Sequence, residues 1–139
     1  MPITREWLDQ DKTILYLRLQ GKLKAEDFFD SDDKTIAMLD SVDHPVDLIV
    51  DYTGQHFFTP DYVQTSDQMT LIHKNMRLVI FLGNKLAWEL FDLYSRRYDK
   101  ALSFSYTYAQ TLEQALEIIN DIRAGKRPIS YRPDSPDWN

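Results

Sequence analysis

Val46-Asp-Leu-Ile-Val-Asp-Tyr-Thr-Gly-Gln-His-Phe-Phe-Thr-Pro-Asp-Tyr-Val63 is the stretch whose reading decides the fold. Its first part, Val46 to Tyr52, is a near-continuous apolar run, as expected of a strand covered on both faces. An acidic turn follows. Thr59-Pro60-Asp61 then has the build of a helix start. Thr59 suits the cap, and Pro60 suits the first helical position, where its missing N–H costs nothing. The charge of Asp61 favours the positive pole of the helix dipole. In an open α/β sheet, the loop after such a strand is where ligands and partners meet the fold.

Strands and helices alternate outward from this stretch. Upstream, Ile3 to Leu8 reads as a short strand, Asp9-Gln-Asp-Lys12 as a turn, and Thr13 to Leu19 as the second strand of a hairpin. Ala25 to Val42 reads as a helix carrying Phe28, Phe29, Ile36, Leu39 and Val42. Asp30, Asp32 and Asp33 interrupt that stripe and predict a late start or a kink, and His44-Pro45 ends the helix. Downstream, Pro60 to Lys74 reads as a helix and Arg77 to Leu82 as a central strand. Gly83-Asn84 leads into a helix over Lys85 to Tyr98, with Leu86, Leu90, Leu93 and Tyr94 at helical spacing. Ala101 to Tyr108 is the last strand. Thr111-Leu-Glu-Gln114 is a capping-box pattern that opens a helix running to Gly125. The expected fold class is α/β: a mixed, mainly parallel five-stranded sheet with an N-terminal β-hairpin and about four helices. One domain over residues 1–125 is expected, followed by an extended tail over 126–139 with three prolines and no periodicity.

At 139 residues the chain has the length of one domain with a sizeable core. It has no cysteine, which excludes disulfides, thiolate metal sites and thiol nucleophiles. The net charge of −6 argues against general affinity for nucleic acid or for anionic membranes, both of which need basic surface. Gly125-Lys126-Arg127-Pro128, flanked by Arg123 and Arg132, is the best candidate for a local basic patch, and it reads as the solvated end of a helix. Neither a secretory signal nor an apolar run of membrane-spanning length is visible, so a cytoplasmic location follows by default.

The element order, with Leu48-Ile-Val-Asp-Tyr-Thr-Gly54 leading to Phe57-Phe-Thr-Pro-Asp-Tyr-Val63, resembles the STAS domain, which includes the bacterial anti-sigma-factor antagonists. That family shows a hydrophobic strand, Asp-Leu-Ser-Gly, a short apolar link, and Asp-Ser-Ser-Gly-Leu opening a helix. Asp51, Thr53 and Gly54 match the first motif, and Phe57 and Phe58 match the link. Asp61 stands where the antagonists carry their phosphorylated serine, and Tyr62 where they carry glycine. The chain also looks like the SpoIIAA-like branch, whose members commonly lack the phosphorylation motif and have no assigned activity. The resemblance implies a regulatory module without a phospho-switch, in which Asp61 is a fixed negative charge.

The residues themselves leave three function classes. The first is a non-catalytic protein-interaction module, with Asp51, Thr53, His56, Phe57, Phe58, Asp61 and Trp88 as candidate partner-binding residues. Phe57 and Phe58 sit in a loop, and Trp88 with Phe91 and Tyr94 extends a helix face beyond what the core needs, so a homodimer or a transient complex is expected. The second is a small apolar-ligand or lipid-binding domain, suggested by eight tyrosines, seven phenylalanines and three tryptophans. The third is a hydrolase using Asp51, His56 and Thr53, but the spacing predicts no convergence of nucleophile, base and orienter. Asp51 reads most simply as an acceptor for turn amides. His44, His56 and His73 fall in different elements without metal-ligand spacing. They read as a turn, an exposed loop and a helix end, so neither metal nor cofactor is expected.

Overall fold

The computed structural model describes residues 3–21, 25–54, 73–83 and 105–128, with the backbone alone over 25–32. These residues form five strands and two helices: β1 (Ile3–Trp7), β2 (Ile14–Gln20), α1 (Ala25–Asp40), β3 (Val46–Gly54), β4 (Met76–Leu82), β5 (Ser105–Ala109) and α2 (Leu112–Arg123). The strands make one mixed sheet in the order β1-β2-β3-β4-β5. β1 pairs antiparallel to β2, closing the expected hairpin, and each remaining neighbour pairs in parallel. The Val46 strand and the Arg77 strand are adjacent and parallel.

The apolar runs divide between two faces because successive strand residues point to opposite sides. Leu15, Leu17, Leu48, Val50, Tyr52, Val79, Phe81 and Tyr106 form one core layer, which Leu39 of α1 joins. Ile14, Ile49, Leu78, Ile80, Leu82 and Ala109 form the other, under Ala115, Ile118 and Ile119 of α2. Leu48 and Ile49 are neighbours in sequence and both fully buried, one in each layer. Each contributes about 2–3 kcal/mol through the apolar area it removes from water. This is the physical meaning of the near-continuous run: an exposed face would have required alternation.

α1 runs unbroken from Ala25 to Asp40, so the aspartates at 30, 32 and 33 neither delay nor kink it. A helix tolerates such residues where their side chains leave the backbone ladder intact. It ends two residues before Val42. There Asn75 donates through Nδ2 to the carbonyls of Leu39 and Val42, 3.0 Å each, satisfying acceptors that the helix end leaves open. α2 begins as its sequence predicts, with Gln114 N–H donating to Thr111 Oγ1 at 3.1 Å. The returning bond is displaced: Gln114 Oε1 accepts from Gln110 N–H, one residue before the cap. At the other end Gly125 adopts φ +74°. Lys126 N–H reaches Asp121 O and Gly125 N–H reaches Ile122 O, a closed glycine stop.

The last strand is described over Ser105–Ala109, and residues 101–104, where its start is expected, lie outside the described ones. So do the bulk of the helices expected over 60–74 and 85–98 and the tail beyond Pro128. His73 and Lys74 do not continue a helix; Met76 N–H bonds back to His73 O in a turn before β4. Among the described residues no helix is long and apolar enough to cross a membrane.

Candidate functional site

Both ends of β3 carry an aspartate on the α2 side of the sheet, two residues either side of Ile49. Asp47 lies at the amino end and Asp51 at the carboxyl end, and both are buried. A buried carboxylate must be paired or hydrogen-bonded. The two solve this in different ways, and the difference separates a structural end from a candidate recognition end.

At the amino end, Asp47 is gripped by two arginines. Arg77 donates Nε to Oδ1 at 2.8 Å and Nη2 to Oδ2 at 2.5 Å. Arg123, from the last turn of α2, donates Nε and Nη2 to Oδ2 at 3.2 and 2.9 Å, and Nη2 also to Thr13 O at 3.2 Å. Arg123 is thus no simple solvated helix end, as the basic run suggested; about a third of its side chain stays exposed, while Nε and Nη2 turn inward to the buried carboxylate and Thr13 O. Close by, Asp9 accepts from Thr13 N–H, Ile14 N–H and the Thr13 hydroxyl, closing the hairpin turn.

At the carboxyl end, Asp51 Oδ1 accepts from Thr53 N–H at 2.8 Å and from Thr53 Oγ1 at 2.6 Å. Its other oxygen, Oδ2, accepts from the Tyr16 hydroxyl of β2. The turn-amide role expected for Asp51 is present, and Asp51 and Thr53 meet, while His56, the third group of the hydrolase reading, lies outside the described residues. What brings Asp51 and Thr53 together is the irregularity at the end of β3. Arg18 opposes Asp51, but Gln20 opposes Gly54, so β3 carries one extra residue there. Such a bulge redirects side chains. Burial, the Asp51 hydrogen bond and the Asp51 charge push the Tyr16 phenol well above the ordinary tyrosine range, against a lowering by Arg18; Glu6 adds to the rise.

Gly83 closes the site from β4. Its φ is +83°, and a Cβ built on it would fall 2.0 Å from Thr53 Cγ2. Its N–H donates to Ala109 O at 3.0 Å. The Thr53 methyl therefore lies against bare backbone, while the residue as a whole is exposed.

Of the candidate binding residues, Asp51 and Thr53 are brought together. His56, Phe57, Phe58, Asp61 and Trp88 lie outside the described residues. Tyr16 and Gly83 belong to the site but carry no sequence signal of their own; only the register of β2 on β3, and of β3 on β4, reveals them. A third polar node joins α1 to β4. His73 is buried, its Nδ1 accepts from Asn75 N–H at 3.0 Å, and its Nε2 therefore carries the proton that meets Asp40 Oδ1 at 2.6 Å. His44 is a turn residue, as its sequence predicts, with Nδ1 3.0 Å from Pro45 O.

A hydroxyl 2.6 Å from a carboxylate is one half of a nucleophile–base pair. Among the described residues, the side-chain hydrogen bonds of Asp51 and Thr53 run only to each other, to Thr53 N–H and to Tyr16. No group of three His, Asp or Glu side chains that could hold a metal ion occurs among the described residues. No protein family, curated protein or solved structure matches the chain.

Proposed function

We propose that the chain is a non-catalytic regulatory or protein-interaction module resembling STAS and SpoIIAA-like proteins, cytoplasmic and without a serine phospho-switch. The observation that carries this reading is the state of Asp51: three donors from the protein itself occupy its carboxylate. A carboxylate bonded to a neighbouring amide and two hydroxyls fixes a turn, the role its sequence predicts for it. Asp51 thus shapes the turn from which the chain departs toward Phe57, Phe58 and Asp61. The antiparallel hairpin followed by strands added in parallel supports the same reading. Partner recognition then falls at the carboxyl end of β3, with Asp61 as a permanent charge and the aromatics at Phe57, Phe58 and in the helix expected over 85–98 as the self-association surface of a homodimer.

The competing hydrolase reading rests on the Thr53 Oγ1–Asp51 contact alone. One pair of experiments separates the two. Immobilised protein in native cell extract is expected to retain a defined protein partner, and a Phe57→Ala, Phe58→Ala double variant is expected to lose it with an unchanged circular dichroism spectrum. Hydrolysis of p-nitrophenyl esters or phosphates by the wild type, abolished in Thr53→Val, would overturn the module reading.

A further inference from the structure

We propose that the outer side of the Tyr16–Asp51–Thr53 group is an acceptor-only subsite that takes an arginine side chain of a protein partner. The proposal rests on the reading of the β3 carboxyl end as the recognition end.

A carboxylate accepts hydrogen bonds and has none to donate, and a hydroxyl has a single proton. Thr53 gives its hydroxyl proton to Asp51 Oδ1 and its backbone N–H to the same oxygen. Tyr16 gives its phenolic proton to Oδ2. All three donors therefore point inward. What the two hydroxyl oxygens present outward is lone pairs only, and Thr53, which is exposed, presents them to solvent. An incoming group that must also accept finds no donor in this group. One that brings N–H donors and positive charge finds two oxygen acceptors polarised by the anion behind them. A guanidinium fits best, because it carries five donors in a planar fork and no acceptor.

Charge agrees with hydrogen bonding. Glu6 lies opposite Tyr16 in the hairpin and Arg18 lies opposite Asp51. Among the described residues, Asp51 and Glu6 against Arg18 leave one negative charge in excess, on a chain whose net charge is −6. Arg18 is exposed and makes no hydrogen bond or ion pair among the described residues, so it stands beside the subsite without filling it. It is the natural competitor of an incoming cation, and its removal is an independent test.

The test is a titration with blocked arginine (N-acetyl-arginine amide) at millimolar concentration, followed through the amide resonances of Tyr16, Thr53 and Gly54. The neutral isostere N-acetyl-citrulline amide and inorganic phosphate serve as comparisons. Saturable shifts are expected with arginine, and neither comparison compound is expected to produce them. Thr53→Val, which keeps the shape and loses the oxygen, is expected to weaken binding about tenfold, the scale of one hydrogen bond to a charged group. Thr53→Ser is expected to preserve it, and Arg18→Gln to tighten it. Equal binding of citrulline, preferential binding of phosphate, or a Thr53→Val protein that binds as the wild type does would overturn the proposal. A partner captured from extract and insensitive to Thr53→Val would leave the module reading standing and remove the subsite. Arginine binding without any protein partner would do the reverse.

Discussion

Arg77 meets Asp47 from the one extra residue of β4. Val46 pairs with Met76 and Asp47 with Leu78, so Arg77 is left over between them. Its guanidinium is thereby free to lie along the Asp47 carboxylate in a two-pronged contact, Nε to Oδ1 and Nη2 to Oδ2. With Arg123 arriving from α2, an anion that is 1% exposed is balanced by two cations whose side chains are about one third exposed. The arginines keep contact with water while the carboxylate loses it, and the four charge-assisted hydrogen bonds it accepts offset the cost of burying it.

Removing Arg77 leaves Asp47 buried with Arg123 alone, bonded through Oδ2. Arg77→Ala is expected to cost about 3 kcal/mol, the lower end for breaking a buried pair. Arg123→Ala should cost less, roughly 1–2 kcal/mol, because the bidentate contact survives it. The double variant strands the carboxylate and should cost more than the two single changes together. Urea unfolding midpoints at constant slope measure all three. Simple additivity would show that the two arginines do not share one anion.

Thr35 on α1 is fully buried, one helical turn before Leu39, and its Oγ1 has no hydrogen-bond partner among the described residues. A desolvated hydroxyl without a partner is a standing penalty. Thr35→Val, which fills the same volume, is therefore expected to raise stability by about 1 kcal/mol. The check is the thermal midpoint, which should rise. A fall would reveal a polar partner for the hydroxyl.

The sequence made the sheet legible where one residue could be read at a time. Val46–Tyr52 and Arg77–Leu82 declare themselves by composition, and Thr111, Gln114 and Gly125 declare the ends of α2. The site was legible only in part. Asp51 and Thr53 are two apart, and their turn is local. Tyr16 comes from 35 positions earlier, and it meets Asp51 only because β2 pairs with β3 in one register. The Asp47 clamp was invisible for a similar reason. An aspartate inside an apolar run reads as a blemish until Arg123, 76 residues away, is placed beside it. Bulges are the other hidden ingredient. Both sit where β3 departs from simple pairing, and no residue type announced either.

Asp9 gives the hairpin a defined acid limit. Burial pushes its carboxyl up, but the Thr13 hydroxyl, the amides of Ile14 and Thr13 and the Arg123 charge outweigh it and hold it below the usual carboxylate range. A carboxyl lowered by folding contributes stability above its unfolded value. That contribution is lost as the pH falls through the folded one. Unfolding free energy is therefore expected to decline as the pH drops below about 4, the ordinary aspartate value. Asp9→Asn should make that acid limb shallower and leave the region between pH 6 and 8 flat. Urea titrations at stepped pH decide it; an unchanged acid limb in Asp9→Asn would show that Asp9 is not among the groups that set it.

The contact between Gly83 and Thr53 gives the sharpest steric test of the site. Gly83→Ala meets two obstacles. Its φ of +83° is one that side-chain-bearing residues rarely adopt, at about 1–2 kcal/mol for the left-handed region. The added Cβ also falls 2.0 Å from Thr53 Cγ2, with Thr53 Cβ and Cα at 3.2 and 3.3 Å. Something must move, and Thr53 is the side chain nearest. Gly83→Ala is expected to lose roughly 2–4 kcal/mol and to shift the Thr53 amide resonance, as the Asp51–Thr53 bonds are pried apart. Thr53→Ser removes Cγ2 and keeps the hydroxyl. On the wild-type background it should leave the Asp51 hydrogen bond intact. On the Gly83→Ala background it should restore part of the lost stability, a coupling of about 1 kcal/mol or more between the two positions. The backbone part of the penalty should remain, because no change at residue 53 relieves φ at residue 83. Full additivity in this cycle would mean that the two side-chain positions are not in contact, and that Gly83 is required for its φ alone.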